Sequence, residues 1–405
     1  MLISIFFVVL IVFLLLIWAV VLTPFPHWPA YFSIWRHVLF DPESSIGFKD
    51  RLKQVSYLLN YTLRLPFVGL CWCLDEILFP QYRNQAIRTP IFIIAQPRSA
   101  TTFLHRTLAS DEKTFFSIRL LEWRYPSILL QKLFQSTGLL EKMSQVNYWG
   151  NNGKSQVVEK MHYSYLNDYE DDGFLFEECF LHQFYVINRF PYPKLLNSLN
   201  NFDKLPLKTQ EKMLKAHYKV IQKVLYLRGG DRIYVSKDNE CLQRLAMMRQ
   251  LYPDALFVTI TRESERFMNS YITLICQSAY SKSGVDVTTI PEWVPMQRTF
   301  RAEAATQMIN FFESLPPEQK ICFSFNCLTQ NITDSIDIIY RHLGLTLTQE
   351  QLQYLNDLDT RQNLRDAGYK TGSEQFQEFE FFDRFAAEVN KNHEALLKSM
   401  TSNNL

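Results

Sequence analysis

Residues Ile91–Ser110 read IFIIAQPRSATTFLHRTLAS, and this stretch decides the fold. The apolar, β-branched run Ile91–Ala95 predicts a buried strand. It ends in the polar turn Gln96, Pro97, Arg98, Ser99 and Ala100, and a helical pattern follows at once from Thr101 to Ala109. Strand, tight turn and helix start together make an anion cradle. Backbone N–H groups at the turn and the helix N-terminus point at the ligand, and the helix dipole favours negative charge there. Arg98 adds a forked cation, and Ser99, Thr101 and Thr102 add hydroxyls. The ligand this pattern calls for is phosphate-like.

A nucleotide-triphosphatase loop would place a glycine first and a lysine near the helix start. This turn has neither. Its P-R-S-x-T-T pattern after a strand resembles the 5′-phosphosulfate loop of sulfotransferases. The resemblance implies a P-loop-like α/β fold of three layers, a central parallel sheet flanked by helices. It also implies 3′-phosphoadenylyl sulfate as co-substrate and no metal. The family pattern has Gly where this chain has Ala100; a glycine there permits positive φ and close approach to the phosphate.

A second strand–turn–helix unit lies at Asp254–Leu274, DALFVTITRESERFMNSYITL. Leu256–Ile260 is strand-like, and a helix is expected from about Ser264. Sulfotransferases place an Arg at the end of such a strand and a Ser eight residues on, both on the 3′-phosphate. The matching positions here are Arg262 and Ser270. Weaker likenesses to the bacterial-type, membrane-associated group run in order over roughly residues 60 to 380. They include Arg232–Lys237, a strand ending in a lysine, and Tyr340–Leu345.

Strand-like stretches at Ile91–Ala95, Arg232–Ser236, Leu256–Ile260 and Lys320–Phe325 alternate with helical patterns. The latter lie near Thr101–Ala109, Ser127–Lys142, Leu207–Leu227, Asn239–Leu251, Glu265–Gln277, Arg301–Leu315 and Asn331–Leu343. Such alternation predicts a parallel sheet covered by helices, with ligands at the carboxyl ends of its strands. Arg98, Lys237 and Arg262 all fall just beyond such ends. The expected organisation is an anchor over residues 1–24, a membrane-proximal segment over 25–85 and a sulfotransferase domain over 86–405. Within that domain, residues 114–227 form a helical insertion expected to build the acceptor site.

Sulfuryl transfer requires a base for the acceptor proton. Relatives use either a His or a carboxylate. The cluster Glu170, Asp171 and Asp172 precedes an apolar helical run and matches an acidic cluster of the related group; Asp171 and Asp172 are the favoured pair. Acids there also complement the dipole of the following helix, and clustered acids raise one another's pKa. His162 matches a His that precedes the cluster in relatives and is the runner-up base, or an acceptor contact. His105, on the helix after the loop, is expected to pack or cap. Lys237 suits neutralisation of the sulfuryl oxygens. Lys370, in the polar loop Tyr369–Gly372, corresponds to a late basic loop over the 3′-phosphate in some relatives.

The run Leu2–Thr23 carries no charge and is long enough to span a bilayer. It lacks a basic n-region and a small-residue cleavage site, so an uncleaved transmembrane helix is expected. Arg36, Lys49, Arg51 and Lys53 follow it. The positive-inside rule then puts the catalytic domain in the cytoplasm, the alternative being a lumenal, Golgi-type orientation. Trp18, Trp28, Tyr31 and Trp35 suggest an interfacial belt. Val55–Phe79 is apolar but interrupted by Arg64, Pro66, Asp75 and Glu76, which suggests an amphipathic segment near the membrane. A net charge of +1, without a basic tract or zinc-finger spacing, excludes a nucleic-acid partner. Seven cysteines without a C-x-x-C point to reduced thiols and against zinc. The expected acceptor is a small molecule, lipid or carbohydrate. Two other readings stay open: a P-loop-type nucleotide kinase, and a non-catalytic membrane protein with a degenerate nucleotide site.

Overall fold

The structure is a computed structural model that describes residues 19–42, 45–150, 153–195, 202–363 and 372–402. The chain forms two compact units. One comprises residues 88–117, 232–276 and 291–405, and the other residues 1–87, 118–231 and 277–290.

The first unit holds a five-stranded sheet. Its strands are β1 (Ile91–Ile93), β2 (Phe115–Phe116), β3 (Ile233–Lys237), β4 (Leu256–Thr261) and β5 (Lys320–Ser324), in the order β2-β3-β1-β4-β5. All pairings are parallel. Alternation along β1 explains why both faces are covered. Ile91 and Ile93 point into an aliphatic core with Val235, Val258 and Ile260, sealed by Leu104 and Leu108 of helix Thr101–Ala109 and by Ile336 and Ile339 of helix Ile332–His342. Phe92 points the other way, into an aromatic layer with Tyr234, Tyr252 and Phe257. Phe311 of helix Trp293–Ser314 packs edge-on against Phe257 from that side. The result is the expected α/β architecture, a parallel sheet between helical layers. β1 lies at the centre, with Ile91 paired to Val235 on one side and to Leu256 on the other.

The four expected strands and the helix Thr101–Ala109 form where the periodicity puts them. β2, only two residues long, was not anticipated. The expected helix Ser127–Lys142 is two helices, Ile128–Ser136 and Leu139–Ser144, because Gly138 takes φ 67° between them.

The second unit is built on helices Phe48–Leu78 and Leu207–Arg228. The stretch from Val55 on, read as an amphipathic segment, belongs to one continuous helix of 31 residues that runs through Pro66. Two of the charged residues in it have buried partners. Asp75 pairs with Lys223 at 3.0 Å and accepts from Ser127 Oγ, Ile128 N and Leu129 N, so it caps the helix Ile128–Ser136. Arg64 pairs with Glu178. Tyr31, expected in an interfacial belt, instead packs against Tyr61 and Phe180 in the interior.

Among the described residues no helix is long and apolar enough to cross a membrane. The run Leu2–Thr23, with Trp18, lies outside the described residues except for its last five positions.

Candidate functional site

The polar turn after β1 is shaped by two non-glycine residues in the left-handed region. Arg98 has φ 69° and Ala100 has φ 65°, ψ 17°. Ala100 is the N-cap of helix Thr101–Ala109 and has no side chain to satisfy that helix's open amides. Those amides face the turn, as the anion-cradle reading requires. The conformation also shows what the departure at Ala100 costs: the backbone adopts the positive φ for which glycine is the unstrained residue.

Ser99 is fully buried, and its Oγ has no hydrogen-bond partner among the described residues. Gln96 Oε1, three positions earlier in the same turn, is in the same state. Buried polar atoms are almost always satisfied, so an orphaned hydroxyl in a turn rich in donors points to a ligand. Thr101 is held from the side by Asn239, whose Nδ2 lies 3.4 Å from Thr101 Oγ1; Thr102 is half-buried in the first turn.

The second motif arrives at the same place. Arg98 Nε donates to Ser270 Oγ at 3.0 Å, and Arg262 Nη1 donates to the Arg98 carbonyl oxygen at 2.7 Å. Arg262 also lies over the Phe325 ring, 4.0 Å from its centre. Helix Ser264–Ser283 carries Ser270, and Asp383 fixes its start by accepting from Ser264 N and Ser264 Oγ at 2.7 and 2.6 Å. That carboxylate was not foreseen. Asn269, adjacent to Ser270, binds the backbone of Glu374, so the late loop is pinned beside the site at Gly372–Glu374. Lys370 itself lies outside the described residues.

Lys237 ends β3, level with Ile93, and is buried. Its charge reaches His105, which burial first, then Lys237 and Arg106, hold well below the usual histidine range. His105 packs as a neutral ring, bonded to Ser117 Oγ at 2.6 Å. The residues after Lys237 were missed by motif reading. Asp238 pairs with Arg244, and Glu240 with the fully buried Arg301. These pairs stiffen the turn that carries Lys237 and Asn239.

In the other unit, Glu170, Asp171 and Asp172 are all buried. They do lie at a helix start, Asp172 being the N-cap of helix Gly173–Glu178, but away from solvent. His162 Nε2 lies 3.8 Å from Glu170 Oε2, Tyr185 OH donates to Asp171 Oδ2 at 2.7 Å, and His217 Nε2 lies 2.6 Å from Asp172 Oδ2. His217 stacks on Trp123 with the ring planes 8° apart. Gly173 is required here, since a Cβ would come within 2.2 Å of His182 Nε2. Tyr185 and His217 carried no local sequence signal, because they reach the acids only through tertiary packing.

A five-stranded parallel sheet with an arginine-bearing turn after its central strand defines an α/β protein. Residues 90–349 match the model of the sulfotransferase family, and the chain belongs to that family. Its fold is similar to that of the sulfotransferase STF1 from Mycobacterium tuberculosis H37Rv, with a TM-score of 0.62 at 19% identity over 80% of this chain and 86% of that one. It is similar also to the sulfotransferase STF9 from Mycobacterium avium, with a TM-score of 0.62 at 14% identity over 81% and 80%. No curated protein matches it significantly in sequence.

Proposed function

We propose that the protein transfers a sulfuryl group from 3′-phosphoadenylyl sulfate to an acceptor hydroxyl, without a metal. The observation that carries this reading is the junction at Arg98. Its side chain meets Ser270 and its carbonyl meets Arg262, so the two motifs that the family devotes to the two ends of this co-substrate converge on one residue. The orphaned Ser99 hydroxyl and the left-handed turn at Ala100 fit an anionic guest.

Bound there, the co-substrate supplies an activated sulfuryl group on a phosphate leaving group. Ser99, Thr101, Thr102 and the helix amides hold the 5′-phosphosulfate, with Ala100 setting the turn. Arg262 and Ser270 hold the 3′-phosphate. Arg98 and Lys237 are cations suited to charge that grows on the leaving phosphate and the sulfuryl oxygens. The base for the acceptor proton we assign, on chemistry, to the acid cluster. Asp171 and Asp172 are its favoured members, with Glu170 and His162 as second choices. The run Leu2–Thr23 would anchor the chain in a membrane, with the catalytic part cytoplasmic by the positive-inside rule. That location favours an amphipathic acceptor, a lipid or a carbohydrate on one.

The test is calorimetric binding by the full chain in detergent, without added metal, of adenosine 3′,5′-bisphosphate against AMP and ATP. Strong preference for the bisphosphate, lost in Arg262→Ala, is expected. Equal or absent binding by a folded sample would overturn the proposal.

A further inference from the structure

Helix Phe48–Leu78 buries Gln54, Leu58, Tyr61, Leu65, Val68 and Trp72 along one side. Its opposite side is apolar as well. At about 100° per residue, Phe48, Leu52, Leu59, Leu63, Phe67, Leu70, Leu74 and Ile77 fall in one sector roughly 100° wide. Phe48 and Leu63 are each 83% exposed and Ile77 74%. The other positions in that sector are Lys49, Ser56 and Pro66; it holds no acid. With 31 residues the helix is about 46 Å long, so the exposed row is far larger than the scattered apolar residues of an ordinary surface.

What covers this row follows from where the chain enters. Ala19 and Val20 are buried against the same helix. A Cβ on Gly69 would lie 3.2 Å from the Ala19 carbonyl, and Cys73 Sγ lies 3.8 Å from Ala19 O. Cys73 borders the exposed sector, and Gly69 lies between it and the buried side. The residues leading into Ala19 form the uncharged run that begins at Leu2, which is of bilayer-spanning length. A bilayer that takes that run reaches the protein at the edge of the row. Lys49, at the end of the row, suits an anionic headgroup.

We propose that the sector Phe48–Ile77 lies in the interfacial layer of a bilayer as a second, in-plane membrane contact beside the apolar run. The helix then fixes the height and tilt of its unit over the lipid surface, which a single anchor leaves free to swivel. This inference does not depend on the sulfotransfer reading.

The test uses the full chain in vesicles of phosphatidylcholine with a minority of phosphatidylglycerol, doped with a lipid carrying a photoactivatable diazirine in its acyl chain. Adducts are mapped by mass spectrometry. Labelling of Phe48, Leu52, Leu59, Leu63, Phe67 and Ile77 is expected, in addition to the run. In Leu59→Glu/Leu63→Glu, labelling over Phe48–Ile77 should fall about tenfold or more while that on Leu2–Thr23 persists, since ionised side chains resist the apolar layer. Both sites are exposed, and circular dichroism checks that the fold is kept. Adducts confined to the run in the unsubstituted chain would overturn the proposal. So would a sector free of lipid adducts in a dimer that the double substitution makes monomeric, which would assign the row to a second copy.

Discussion

Ala100 offers a measurement in which the geometry of the anion loop sets both sign and size. The residue sits at φ 65°, ψ 17°. For an L-residue with a Cβ this costs about 1–2 kcal/mol relative to the right-handed region. Glycine removes that cost but gives back about 0.4–1 kcal/mol through the freedom it adds to the unfolded chain. Ala100→Gly should therefore stabilise the protein by about 0.5–1 kcal/mol, a rise in Tm of about 1–3 °C for a unit of this size. Ala100→Val goes the other way. A β-branched residue at positive φ is a true outlier, and crowding beside helix Thr101–Ala109 should lower Tm by about 4 °C or more. The assay is differential scanning calorimetry of the full chain with and without adenosine 3′,5′-bisphosphate. Ligand stabilisation should persist in Ala100→Gly and disappear in Ala100→Val, whose turn no longer presents its amides. A lower Tm for the glycine variant, or a valine variant that melts and binds like the unsubstituted chain, would refute the reasoning.

Three further outcomes follow from particular contacts. Ser270→Ala removes the hydroxyl held at 3.0 Å by Arg98 Nε, and bisphosphate affinity measured by calorimetry should fall by about 1–3 kcal/mol, roughly 5- to 150-fold. His393, buried against β5 where it accepts from Ser324 N at 3.2 Å, is pushed by burial from 6.5 down to about 4. Because its folded pKa is depressed, the unfolded chain holds the extra proton between those values; stability is complete above pH 6.5 and declines towards pH 4 by up to about 3 kcal/mol, and His393→Gln should flatten that part of a urea-denaturation pH series. Asp172→Ala leaves the buried His217 without the carboxylate 2.6 Å away, so it should destabilise the chain by about 1–3 kcal/mol in urea melts besides lowering turnover, whereas Asp172→Asn should keep most of the stability and still lose turnover.

The sheet was legible because parallel strands buried on both faces read as short apolar runs. Ile91–Ile93 and Leu256–Thr261 are such runs, with polar turns to end them. β2 was not, because two residues give no period, and Phe115–Phe116 read equally well as loop or core. Arg98, Ser99, Arg262 and Ser270 were legible as motifs, but their meeting was not: Arg98 and Ser270 are 172 positions apart. The acids at 170–172 were visible as a cluster, and a helix-dipole role was a fair reading of the local sequence. Their pairing with Tyr185 and His217 depends on packing that no window of the sequence contains. The amphipathic character of Val55–Phe79 was legible, but the buried partners of Arg64 and Asp75, Glu178 and Lys223, were not, because they lie more than a hundred positions away.

The convergence at Arg98 is a consequence of topology more than of loop chemistry. β1 is hydrogen-bonded on both sides, with Ile93 level with Lys237 of β3 and with Val258 of β4. The chain leaving β1 therefore emerges between the carboxyl ends of two neighbours, and whatever follows those neighbours must lie close to it. Lys237 and Arg262 take those two places by register alone. Arg98 then answers a problem that a lysine would not. Its planar fork lets Nε engage Ser270 while other donors of the same guanidinium stay directed elsewhere, and its carbonyl, turned out by the positive φ, accepts from Arg262. A lysine at this point would supply charge but no link between the two motifs. The absence of a loop lysine and the presence of this arginine are thus one design, in which the strained turn is held at both ends by the residues that would grip the far side of the same ligand.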